Sequence, residues 1–109
     1  MNSAFYTDDE LYALSYQIDH CYYEDVILQI QEWQEETTSG SVYDILDIVS
    51  EIVLETPDNP TQMIKSIQEL QKTARTNTVY KTLGIAIDII IDNVTFTNLH
   101  TMDKIRIEW

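Results

Sequence analysis

A chain of 109 residues with 44% hydrophobic side chains and a net charge of −13 holds one core and has no room for a second. Seven Tyr, two Trp and many Ile exclude a disordered acidic tail, which lacks the aromatic and β-branched residues that bury surface. The charge is unevenly placed: residues 1–64 carry 14 Asp and Glu with no Lys or Arg, whereas 65–109 carry 6 basic and 5 acidic residues.

A one-sign field of this size steers association with cationic partners. It opposes nucleic acid, whose binding relies on Lys and Arg neutralising phosphates, and an anionic membrane surface. The expected partner is therefore a basic protein, with no direct nucleic-acid binding and no membrane. The most apolar stretch, Leu83 to Ile91, is interrupted by Asp88 and falls well short of the ~20 residues of a membrane span. Met1 to Glu10 has neither a basic nor an apolar segment, so no signal peptide is expected. Cys21 is the single cysteine and forms no intramolecular disulfide, which suits a reducing, cytoplasmic setting.

Taken in chain order, Thr7-Asp8-Asp9-Glu10 opens a first helix, with Thr7 as cap and Glu10 at the capping-box position. Leu11, Leu14 and Ile18 follow at helical spacing, and the helix is expected to run to about His20. A second helix covers about Tyr23 to Glu36, with Val26, Ile27, Ile30 and Trp33 as its apolar stripe. Thr37 to Gly40 reads as a loop. Ser41, with Asp44 three residues on, is expected to cap a third helix over about Val42 to Glu55, turning Ile45, Ile48, Val49 and Ile52 inward. Thr56-Pro57-Asp58-Asn59-Pro60 is the clearest break. Asn59 caps the next helix there and Pro60 takes its first position. Met63, Ile64, Ile67, Leu70 and Gln71 carry that helix to about Arg75.

Residues Val79 to Asp92 fit two patterns. Val79, Leu83, Ile87, Ile90 and Val94 match a helix, which is preferred; Ile85, Ile87, Ile89 and Ile91 alternate as in a strand. The end reads as a hairpin: Val94 to Thr97, a turn near Leu99 to Asp103, then Ile105 to Trp109 in strict alternation. The fold class expected is mainly α, a four- or five-helix bundle with a short C-terminal β-hairpin.

Motifs for catalysis are absent from the chain: there is no CxxC, HExxH, GxxxxGK[ST], GxGxxG or GxSxG. His20-Cys21 has the residue types of a base and a nucleophile, but adjacent residues point apart and no orienting acid is evident. A buried or capping pair explains it better. His100 falls in a turn. Asp8-Asp9-Glu10 lacks the alternating ligands and central Gly of a calcium loop and suits a helix N-terminus. No cofactor, no metal and no enzymatic activity are expected.

The informative pattern is on the second and third helices. Asp25, Glu32 and Glu36 share one face at offsets of 7 and 11, and Asp44, Asp47, Glu51 and Glu55 form a row at i, i+3, i+7 and i+11. Like charges at such spacing repel by a few tenths of a kcal/mol per pair, and no basic residue on either helix relieves them. The row reads either as a solvated outer face or as a surface for a cationic partner. It spans ~16 Å, sparser than the charge per ~3.4 Å of one DNA strand, so two such helices side by side approach that density. Tyr22-Tyr23, Trp33 and Tyr43 stand amid these carboxylates. Aromatic residues in such places are interface anchors or core packing, and Trp33 sits at the edge of the apolar stripe.

Read as a series, Tyr6-Thr7-Asp8-Asp9-Glu10-Leu11, Glu24-Asp25-Val26-Ile27, Glu35-Glu36-Thr37-Thr38-Ser39-Gly40-Ser41 and Asp58-Asn59-Pro60 resemble the colicin and pyocin DNase immunity proteins over about residues 5–76. The resemblance implies a small acidic four-helix protein that binds a nuclease toxin, with Asp25, Glu32 and Glu36 as its second-helix acids. The family's third helix is short and carries an Asp/Tyr-Tyr motif. Here that segment is long and reads Val42-Tyr43-Asp44, and residues from about 77 onward have no counterpart.

Together these features point to a non-enzymatic acidic inhibitor or immunity-type protein that blocks a basic nuclease, toxin or other nucleic-acid-binding protein. A DNA-mimic phage anti-defence protein and a helical structural or regulatory subunit are the alternatives. The residues expected to hold the partner are Asp25, Glu32, Trp33, Glu36, Tyr43, Asp44, Asp47, Glu51 and Glu55.

Overall fold

A computed structural model describes residues 6–96. Five helices and two short strands follow in the order α1 (Asp8–Gln17), β1 (Ile18–Cys21), α2 (Tyr23–Glu36), α3 (Gly40–Glu55), α4 (Pro60–Lys72), α5 (Asn77–Asp92) and β2 (Val94–Phe96). The expected mainly helical bundle is present, with five helices.

Each helix except α2 starts where a side chain satisfies its free backbone N–H groups. Thr7 Oγ1 accepts from Glu10 N–H at 3.2 Å, and Thr7 N–H donates to Glu10 Oε1 at 2.9 Å, a complete capping box. Asn59 Oδ1 accepts from Gln62 N–H at 3.1 Å, with Pro60 at the first helical position. Thr76 Oγ1 caps α5 through Val79 N–H. The third helix departs from expectation. Ser39, not Ser41, is its cap: Ser39 Oγ accepts from Val42 N–H at 3.3 Å, and the helix opens at Gly40.

The packed neighbours set which residues face the core. On α3 these are Val42, Leu46, Val49 and Val53. Ile45 and Ile52 lie at the margin, and Ile48, expected inside, is 40% exposed. The sequence offered two apolar stripes on one helix, and the neighbours chose between them: α3 packs against α2, α4 and α5. Leu11 of α1, Cys21 of β1, Val26 and Ile30 of α2, Met63, Ile64 and Ile67 of α4, and Leu83, Ala86, Ile87 and Ile90 of α5 complete the core. On α5 the helical period prevails over the strand reading, so Ile85 is exposed while Ile87 and Ile90 are fully buried. The last helical turn of α4 ends at Lys72, short of Arg75.

The first helix stops at Gln17 and does not reach His20. Ile18 turns extended, and Ile18–Cys21 pairs antiparallel with Val94–Phe96. The partners are Ile18 with Phe96, His20 with Thr95 and Cys21 with Val94, with an irregularity between Ile18 and His20. Tyr22 N–H extends the ladder to Asn93 O at 2.8 Å. The strand expected at Val94 thus exists, and its described partner comes from the other end of the chain. The rest of the expected hairpin, residues 97–109 with His100, lies outside the described residues. Among the described residues, no helix is long and apolar enough to cross a membrane.

Candidate partner-binding surface

The short connection Thr37 to Ser39 keeps α2 and α3 neighbours, and they pack directly against each other. Gln34 Nε2 also ties them by donating to Tyr43 O at 3.1 Å. Their buried positions place the charged ones. With Val26 and Ile30 inward, Asp25, Glu32 and Glu36 are exposed and fall within about 40° of arc at 3.6 residues per turn. With Val42, Leu46, Val49 and Val53 inward, Asp44, Asp47, Glu51 and Glu55 are exposed and fall within about 80° of arc.

No carboxylate of α2 or α3 has an ion pair among the described residues. The exposed pair Lys72–Glu69, 3.6 Å apart, lies within α4, and the basic residues of the described chain, Lys65, Lys72, Arg75 and Lys81, follow α3 in sequence. The charge asymmetry of the sequence is therefore an asymmetry between elements, with acids alone on α1 to α3.

The aromatic candidates divide. Tyr43 is 49% exposed beside Asp44. Trp33 is half-buried and packs on the core. Tyr22 is exposed, with His20 stacked edge-on at 4.6 Å. The sequence did not mark the exposed apolar residues Leu28 and Leu54, 56% and 57% accessible. Leu54 could have been found from its spacing, since it lies eleven residues from Tyr43 and so on nearly the same side of the helix.

His20 and Cys21 are separated by the strand itself: His20 is exposed and Cys21 is buried, as successive strand residues face opposite sides. Burial and the neighbouring Asp58 carboxylate push the Cys21 thiol above its ordinary pKa, the opposite of an activated nucleophile. A cavity of about 180 Å³ beside it is lined by Ser15, Asp19, His20, Asp58 and Thr61 among others. Its lining includes none of the acids of α2 and α3. Among the described residues, no group of three His, Cys, Asp or Glu is arranged to hold a metal ion. Asp8, Asp9 and Glu10 are exposed in the first turn of α1, where they suit the positive end of the helix dipole.

No protein-family model, curated protein or solved structure matches the chain.

Proposed function

We propose that the protein is a non-enzymatic acidic inhibitor, of immunity type, whose α2–α3 face blocks a basic nuclease, toxin or other nucleic-acid-binding protein. The observation that carries this reading is the exposure of seven carboxylates on two packed helices with no counter-charge on either. A chain that needed only solubility does well with mixed signs and a net charge of about 2–8. Concentrating one sign on adjacent helices costs self-repulsion, which a basic partner relieves. Direct binding to nucleic acid is opposed by the same field. The buried lone thiol is consistent with action in the cytoplasm.

Affinity capture from the native host, eluted by a salt gradient, tests the reading. A basic nucleic-acid-binding protein should elute with rising salt and lose DNA binding when the acidic protein is added back in equal amount. Capture of only acidic or neutral proteins, released independently of salt, would reject it.

A further inference from the structure

Apolar side chains stand among the acids of α3. Along one lane at i, i+4, i+8 and i+11 come Tyr43, Asp47, Glu51 and Leu54; along the next, Asp44, Ile48 and Glu55. Residues at such spacing are surface neighbours. Tyr43, Ile48 and Leu54 are 49%, 40% and 57% exposed. A partner surface offering cations alone, as one built for phosphates does, would meet only the carboxylates of this face and leave these three side chains wet. A partner offering both cations and apolar groups would use all of it.

Resting on the function proposed above, we propose that the α3 face docks a basic amphipathic helix of the partner, with Lys or Arg opposite Asp47 and Glu51 and apolar side chains against Tyr43 and Leu54. The first lane, from residue 43 to 54, is about 16 Å long, three turns of an α-helix, and helical targets read faces through anchors at this spacing. Charge decides between occupants. A second copy would bring the same carboxylates against these and be repelled, whereas a basic helix is attracted at both kinds of position.

The probes are three synthetic peptides of about 14 residues, long enough for the lane, with equal positive charge. One contains Leu and Lys at amphipathic helical spacing, one has the same composition scrambled, and one replaces Leu by Ser. At physiological ionic strength the amphipathic peptide should bind at least about tenfold tighter than either other peptide. Tyr43→Ser with Leu54→Ser should erase that difference while the circular dichroism spectrum is kept. Leu54→Ser alone, at the most exposed of the three sites, should erase part of it. Equal binding of the amphipathic and Ser peptides would show that the face reads charge alone, which overturns the helix but leaves the basic partner standing. Equal binding of the scrambled peptide would likewise replace the helix by an extended segment. A dimer of this chain at the same ionic strength, lost in the double Ser variant, would make the occupant a second copy and overturn the proposal. Binding of all three peptides unaffected by Asp44→Lys with Glu51→Lys would overturn both this inference and the proposed function.

Discussion

Gln68 shows what one buried polar side chain does for this fold. Its Oε1 accepts from Tyr6 N–H at 2.7 Å and its Nε2 donates to Tyr6 O at 2.8 Å, so a side-chain amide holds both backbone groups of a residue 62 positions away. Gln68→Ala should cost about 1–3 kcal/mol, the penalty of stranding partly buried polar groups. Urea unfolding would measure it, and hydrogen exchange at the Tyr6 amide should accelerate; unchanged exchange would show that other contacts hold the segment. Cys21 is buried beside a carboxylate. Its thiol is raised above the ordinary 9.0, first by burial and then by Asp58. A raised native pKa means that stability is complete below the unfolded value and declines as pH climbs through the native one. Unfolding free energy should therefore fall above about pH 9, with a smaller fall in a Cys21→Ser chain. Partner binding should survive Cys21→Ser in a folded protein, since the thiol is buried while the candidate acids of α2 and α3 are exposed. Lost binding in that variant would revive a chemical role for the thiol.

At the scale of elements, α3 is pulled in two directions. Its core stripe is fixed by α2, α4 and α5, and its outer face carries four like charges at neighbour spacing. Asp44→Lys with Glu51→Lys places each new cation within one turn of a remaining acid, Asp47 or Glu55. Each such pair adds about 0.2–0.5 kcal/mol, so the isolated protein should keep its melting temperature or gain slightly. Partner affinity should fall sharply in the same variant through repulsion. Calorimetry on the free variant and titration with the captured partner separate the two effects; a folded variant with full affinity would reduce the face to solvated surface. The sheet between β1 and β2 is the other element-scale lesson. The extended character of Val94 to Phe96 was legible from its β-branched and aromatic residues, but the pairing with Ile18–Cys21 was not. Four residues of strand give no alternation strong enough to oppose a helical pattern running on from Leu11 and Leu14, and their partner lies about 75 residues further along the chain.

For the whole molecule, salt should act in opposite senses on stability and on binding. Screening within about 8 Å at physiological ionic strength weakens repulsion among exposed carboxylates, so added salt should raise the melting temperature of the free protein. The same screening removes steering, so the association rate with the partner should drop steeply over that range. Stopped-flow association and thermal melts over one salt series would check both, and a flat association rate would remove electrostatic steering from the account.

The helical class, the bounds of α2, the capping box at Thr7, the Asn59-Pro60 start of α4 and the exposure of all seven candidate carboxylates were legible in the amino-acid order. These are local matters: a cap acts within three residues, and a charged side chain stays in water wherever its helix lies. Packing between distant elements settled the rest. Ser39 and Ser41 are both good caps, and Ile48 and Leu46 are both good core residues; the choice fell to whichever register let α3 fill the space between α2, α4 and α5. The end of α1 was set at long range, because the backbone groups of Ile18–Cys21 found partners in β2, a contact that no window of neighbouring residues contains.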